Sequence, residues 1–319
     1  MNQREKNSLF TARKPKIFVE PFCGGAGVSI SLLESGRIES VALNDRDPLV
    51  SSFWRVLFGK SKRSRDDVKW LLSKVESAEV SIDEWRKQRE CKPNNLKEAA
   101  WKCLFLNRTS FNGILYKSGP IGGWGQVNRT LDVRFNREKL YSRISLLHEM
   151  RDRVIKVTSL GWREFCDLNQ QRLGAYLYFD PPYYHRAEQL YGDWFIAKEH
   201  RQMRDYLTGL SNPWMLSYDD APEVRELYSN LQGIDGRVID QTYSAHPVGG
   251  ASFIGRELFY SNRQLPITKS ANLQKPHVGL SVIGCVKTIA SESEGPLRKP
   301  ILLRSSNNKA KAYLSLNNR

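Results

Sequence analysis

Short apolar segments that alternate with amphipathic helical ones constrain this chain more than any other feature. Ile17-Phe18-Val19 reads as a strand, the glycine-rich Phe22-Cys23-Gly24-Gly25-Ala26-Gly27 as a turn, and Val28 to Glu34 as a helix. The unit then repeats. Val41-Ala42-Leu43 is a second strand, and Leu49, Val50, Phe53, Trp54, Leu57 and Phe58 fall on one face of the helix that follows. After a long interruption the rhythm resumes, with strands at Val154 to Val157, Ala175 to Phe179 and Trp214 to Ser217. Helices run through Met203 and Leu207 and near Val224 and Leu227, and strands around Val238 to Tyr243 and Glu257 to Tyr260 close the pattern. This order predicts an α/β fold with a doubly wound, Rossmann-like core: a mostly parallel sheet with helices on both faces and an edge β-hairpin.

The interruption spans Gly59 to His148, which reads as charged helices broken by a glycine-rich stretch from Asn112 to Gly125. The expected division is a core of residues 1–58 and 149–265, an inserted, mainly helical module at 59–148, and a tail at 266–319. From Lys269 onward nine Lys or Arg stand against Glu292 and Glu294, so the tail reads as basic and partly disordered. The whole chain carries a formal charge of +15, which favours a polyanionic partner such as nucleic acid over an acidic metabolite. Five scattered cysteines without a C-x-x-C pair indicate neither a disulfide framework nor a zinc site, and the histidines form no ligand cluster, so no metal is expected. Residues 1–16 hold no apolar signal core, and the longest apolar-leaning run, Val278 to Val286, is too short to span a bilayer. A cytoplasmic, non-membrane protein is expected, with a monomer as the default state.

The glycine-rich turn lets a ligand approach backbone that carries no Cβ atoms, with a helix N-terminus facing it. Taken alone it fits a tight turn or any of several cofactors. Asp45 sharpens the reading, because it lies 18 residues beyond Gly27 at the end of the second strand, where an acid can hold ribose hydroxyls. It can also serve the start of the next helix.

The string Tyr178-Phe179-Asp180-Pro181-Pro182-Tyr183-Tyr184 is more specific. Asp-Pro-Pro-Tyr would arise by chance in roughly 0.1% of chains of this composition. Two prolines fix φ and supply carbonyls without competing N–H groups, so Asp180 and nearby backbone oxygens form an acceptor-only pocket at a strand's carboxyl end. Such a pocket suits an exocyclic amine whose lone pair is delocalised into an aromatic ring. Acceptors that hold both its hydrogens favour a pyramidal nitrogen, and Tyr183 can stack on the base.

At this point the chain resembles the Dam-like (D12 class) N6-adenine-specific DNA methyltransferases. Val19 to Gly27 looks like that family's cofactor loop, Asn44-Asp45 like its ribose-binding acid, and Asp180 to Tyr183 like its catalytic tetrapeptide. Leu106 to Gly113 resembles the segment bordering the recognition module, and Glu257-Leu258-Phe259-Tyr260-Ser261-Asn262 the late strand. The resemblance implies a methyltransferase core with a helical DNA-recognition insert, S-adenosylmethionine as donor, double-stranded DNA as substrate and a target adenine flipped from the duplex. It also makes a companion restriction endonuclease a candidate partner. Catalytic roles carry over to Asp180, Pro181, Pro182 and Tyr183, and cofactor roles to Glu20, Pro21, Phe22, Gly24, Gly25, Gly27, Asp45 and Asp180. The family's Gly-Gly-Lys before the cofactor loop has no match between Met1 and Lys16. Where the family often has an acid beside the cofactor's adenine, this chain has Ser159-Leu160-Gly161-Trp162, and Trp162 is the candidate to stack there.

Within the insert, Arg108, Asn112, Lys117, Gln126, Asn128 and Arg129 are candidate DNA contacts, because these side chains serve phosphates and base edges. Trp124 is a candidate stacking residue or a core anchor. The nearest alternative keeps the fold and methylates cytosine N4, and a catalytically inactive DNA-binding relative is another. Methylation at cytosine C5 is disfavoured, since the chain has no Pro-Cys dipeptide to supply a nucleophile.

Overall fold

The computed structural model describes residues 16–127, 129–184, 195–243 and 253–265; Asn128 and the segment 266–319 read above as a basic tail lie outside them. The strands are β1 (Ile17–Glu20), β2 (Ser40–Asn44), β3 (Val154–Thr158), β4 (Ala175–Phe179), β5 (Trp214–Asp219), β6 (Asp235–Tyr243) and β7 (Phe253–Ser261). They form one sheet in the order β3-β2-β1-β4-β5-β7-β6. Strands β1 to β5 run parallel, while β7 is antiparallel to both β5 and β6. From β1 the chain winds outward through β2 to β3, and from β4 it winds the other way. The two windings therefore separate between β1 and β4, and a crevice opens at their carboxyl ends, where open α/β sheets receive ligands.

The core helices are α1 (Gly27–Glu34), α2 (Pro48–Leu57), α7 (Trp162–Gln170), α8 (Ala197–Gly209) and α9 (Pro222–Tyr228), and the segment between α2 and β3 supplies α3 (Lys62–Ser77), α4 (Ile82–Glu90), α5 (Leu96–Thr109) and α6 (Arg137–Glu149). The central strands are buried along nearly their whole length, and because successive side chains point to opposite faces, each sheet face feeds its own cluster. Phe18, Val41, Leu43, Tyr178 and Met215 join α1 and α2 on one face. Val19, Ala42, Leu177, Phe179 and Leu216 join Phe165, Met203, Leu207 and Val224 on the other. Helix α7 is absent from the elements that periodicity suggests. Its apolar stripe, Trp162, Phe165 and Cys166, is only two turns long and dissolves into Asp167-Leu168-Asn169. Among the described residues no helix is long and apolar enough to cross a membrane.

Helices α3 to α6 begin where a side chain accepts a hydrogen bond from a first-turn N–H: Ser61, Ser81, Asn95 and Asn136 each cap one. At α5 the cap is reciprocal, since Glu98 accepts from the Asn95 side chain at 2.8 Å and from the Asn94 N–H at 2.9 Å. These helices close no core of their own. Val68, Leu71, Trp85, Leu104, Leu106, Leu140 and Ile144 belong to the same apolar cluster as Phe18, Leu43 and Phe53.

Because the cluster is shared, truncating one of its insert residues should weaken the sheet too. Leu104 is fully buried, and Leu104→Ala is expected to cost about 2–5 kcal/mol and to move the far- and near-ultraviolet thermal transitions together. A separate, lower melting step for the insert alone would contradict the shared core.

Candidate active site

The carboxyl edge is organised by one buried amide. Asn44 Nδ2 donates to the Pro21 carbonyl at 3.0 Å and to the Leu160 carbonyl at 3.1 Å. Its Oδ1 accepts from Thr158 Oγ1 at 2.7 Å and from the Leu160 N–H at 2.8 Å. All four hydrogen-bonding positions of the side chain are used, and the loops after β1, β2 and β3 are tied at one point.

The turn after β1 then folds onto β2. Cys23 N–H donates to the Asn44 carbonyl at 2.8 Å and Gly24 N–H to Asp45 Oδ2 at 2.8 Å, while the indole of Trp54 donates to the Gly24 carbonyl at 2.7 Å. Gly24 has φ +46°, a conformation that glycine adopts without strain; Ala26, at φ +47°, enters α1 without that relief. Glu20 is buried and accepts from the hydroxyl of Ser29 on α1. Pro21 and Gly25 are buried, and Phe22, Gly24 and Gly27 half-buried.

Asp45 is half-buried. Each of its oxygens accepts one backbone N–H, from Gly24 and, at 2.9 Å, from Asp47. Burial, and then the neighbouring Asp47 carboxylate, push its pKa up to about 7 against the lowering effect of those two bonds. Asp47 caps α2 through the Leu49 and Val50 N–H groups, and it also accepts from Tyr116 Oη at 2.7 Å. Tyr116 belongs to the loop between α5 and α6, so this contact joins the insert to the acid pair.

Across the crevice, Asp180 follows β4 and is half-buried, and its Oδ1 accepts from Ser217 Oγ on β5 at 3.0 Å. Pro181 is buried and Pro182 half-buried. Tyr183 is 4% exposed and its hydroxyl donates to Glu257 Oε1 of β7 at 3.4 Å. The Tyr184 ring lies on His200, with centroids 4.6 Å apart, and Phe195 meets the same imidazole edge-on at 4.6 Å. Burial lowers the pKa of His200 to about 4, so the ring is neutral at physiological pH, and its Nδ1 bonds to the Tyr218 hydroxyl. Trp162 is 8% exposed. Its indole N–H donates to Glu199 at 3.1 Å, and its ring packs on Phe22 and Tyr206.

The glycine turn, Asp45 and the Asp180 loop thus meet at one edge. This arrangement offers hydrogen-bond acceptors on one side of the crevice and a backbone turn on the other. A sequence model of the D12 class N6 adenine-specific DNA methyltransferases matches residues 6–242. The chain belongs to that family. No curated protein matches it. The D12 match spans the glycine turn, Asp45, the insert and the Asp180 loop together.

The segment between α2 and β3 distributes the candidate DNA contacts unevenly. Lys117 and Arg129 are exposed. Arg108 is 9% exposed and its Nε donates to the Arg134 carbonyl at 2.8 Å, while the Gln126 amide donates to the Ile121 and Gly123 carbonyls at 2.7 and 2.6 Å. Asn112 sits at φ +59°, with its side-chain amide buried and without a hydrogen-bond partner among the described residues. Trp124 is 59% exposed, stands edge-on to Trp85, and carries the Arg86 guanidinium over its ring at 5.2 Å. Sequence reasoning missed Ser217, Glu257 as a partner of Tyr183, and the Tyr116–Asp47 contact. Only Ser217 left a signal: a small polar residue among the large side chains of its strand.

Asp45 makes stability depend on pH in a defined direction. Its folded pKa lies above the ordinary carboxylate value, so between about pH 4 and 7 the folded chain keeps a proton that the unfolded chain has released, and this contribution to stability is lost as pH rises through 7. Asp45→Asn mimics the protonated form. Its melting temperature relative to wild type should therefore climb as pH is raised from 5 to 8, as read by calorimetry; a constant difference would refute the assigned pKa.

Proposed function

We propose that the chain transfers a methyl group from S-adenosylmethionine to the exocyclic N6 of adenine in double-stranded DNA, with the base turned out of the duplex into the crevice between β1 and β4. The observation that carries this reading is the junction of the glycine turn and the Asp180-Pro181-Pro182-Tyr183 loop at the point where the two windings separate, within a family of adenine-specific DNA methyltransferases. The choice of adenine rests on the family.

The residues after β1 and β2 fit such a donor. Asp45 holds an enclosed carboxylate whose oxygens each retain a lone pair beyond their backbone bond, which suits ribose hydroxyls. Glu20, Pro21, Phe22, Gly24, Gly25 and Gly27 form the wall beside it, with Trp162 packed behind Phe22. When bound, S-adenosylmethionine supplies an electrophilic methyl on a sulfonium. Asp180 is proposed to accept one hydrogen of the amine, and a carbonyl of the Pro181-Pro182 turn, which brings no competing N–H, the other. Holding both hydrogens draws the nitrogen lone pair out of conjugation and aims it across the crevice. Tyr183 is proposed to stack on the base, and because it is 4% exposed the base must displace what covers its ring to do so.

Exposed Lys117 and Arg129 are the proposed phosphate contacts, and Asn128 is assigned with them from sequence alone. Arg108, Asn112 and Gln126 are proposed to shape the loop that presents these contacts, since their side chains lie within it. The division into core, recognition insert at 59–148 and basic tail remains part of this reading, as do a cytoplasmic monomer and a companion restriction endonuclease.

Two measurements test it. Asp180→Ala should lower methyl transfer from labelled S-adenosylmethionine by about 100-fold or more while leaving the chain folded, at a cost of about 1–3 kcal/mol for the stranded Ser217 hydroxyl, and most DNA affinity intact; full activity would sink the mechanism. DNA affinity should fall steeply as salt is raised, because cationic side chains displace counterions from phosphates. A flat salt profile would count against the phosphate contacts.

A further inference from the structure

Strand β5 is buried from Trp214 through Tyr218, and within that stretch Ser217 is the one small polar residue among large side chains. Packing alone gives no reason for that exception. A hydroxyl in a fully buried strand must be satisfied, whereas an alanine of similar size makes no such demand. The register supplies the reason. Phe179 pairs with Leu216, so the next residues along the two parallel strands, Asp180 and Ser217, are neighbours where β4 ends.

Ser217 Oγ is 3.0 Å from Asp180 Oδ1 and 3.0 Å from Tyr178 Oη. A serine has one hydroxyl proton, and a carboxylate oxygen only accepts. That proton is therefore committed to Asp180, and Tyr178 must be the donor in the second bond. The two bonds form a directed chain, Tyr178 Oη–H to Ser217 Oγ–H to Asp180 Oδ1, in which each donor polarises the next. Tyr178 and Ser217 are both fully buried, and Tyr178 is stacked on Phe18 of β1 at 5.7 Å. The chain thus begins in the rigid interior and ends on the half-exposed carboxylate.

We propose that Ser217, oriented by Tyr178, is a positioning residue for methyl transfer: it fixes the rotation of the Asp180 carboxyl group and so the direction in which its second oxygen meets the target amine. This rests on the reading that Asp180 accepts from that amine. Without the Ser217 hydroxyl the carboxyl group loses one of the bonds that hold its rotation about Cβ–Cγ, and fewer bound complexes have the acceptor aligned. The loss falls on the chemical step, because neither Ser217 nor Tyr178 is placed to touch DNA or cofactor.

The test compares full-length Ser217→Ala, Tyr178→Phe, the double variant and Asp180→Ala in methyl-transfer assays, with melting temperatures and cofactor Kd measured on the same samples. Ser217→Ala should lower kcat roughly 10- to 100-fold, with the KM for DNA and the cofactor Kd within about twofold of wild type. Tyr178→Phe, which keeps the ring, should lower kcat less. The double variant should be no worse than Ser217→Ala, since Tyr178 acts only through Ser217. An unchanged kcat in Ser217→Ala, losses that multiply in the double variant, or losses confined to KM and Kd each overturn the proposal. Asp180→Ala separates the two levels. If it stays active, the role of Asp180 fails and this inference with it; if it is inactive while Ser217→Ala is fully active, this inference alone fails.

Discussion

The carboxyl edge of the sheet depends on the side chain of Asn44. Parallel strands leave their connecting loops without mutual hydrogen bonds, so nothing in the ladder sets where the loop after β1 stands relative to those after β2 and β3. Asn44 sets it, using both amide protons and both lone pairs, and the residue is 1% exposed. Losing any of the four bonds would strand a buried donor or acceptor, at about 1–3 kcal/mol each. Three loops are accordingly held as one body, and Asp45, the next residue, inherits a fixed position over Gly24.

From that point the constraint spreads. Asp45 draws in the Gly24 N–H, Trp54 secures the Gly24 carbonyl, and Asp47 combines the cap of α2 with the hydroxyl of Tyr116. The opposite wall is held by the strands beyond it, through Ser217 on β5 and Glu257 on β7. The antiparallel addition of β7 brings Glu257 level with Asp219, and so sets a carboxylate under Tyr183.

Much of this was legible in the residues. The strand–helix alternation, the glycine turn, Asp45 and Asp180-Pro181-Pro182-Tyr183 are local patterns, and local patterns report backbone geometry directly. Helix α7 escaped because its stripe is short. Arg108 was read as a DNA contact from its charge, yet its Nε bonds the Arg134 carbonyl, since arginine is usually exposed and nothing local to it in the sequence marks this one as turned inward. The role of Asn44 was invisible for another reason: its partners Thr158 and Leu160 lie 114 and 116 residues away, and only the folded sheet brings them within reach.

The apolar cluster common to the insert and one sheet face bears on how such a protein could acquire a different DNA target. A module with its own interior can be exchanged whole, as a cassette. Here Val68, Leu71, Leu104 and Ile144 interlock with Phe18, Leu43 and Phe53, so exchanging α3 to α6 would dismantle the wall of the sheet. The stretch that follows Ile121, whose N–H is bonded to the Thr109 carbonyl, stands clear of that cluster, with Trp124 and Val127 59% and 85% exposed. On the proposed reading that this segment contacts DNA, retargeting by directed evolution is best confined to that exposed stretch, on a helical frame kept as inherited.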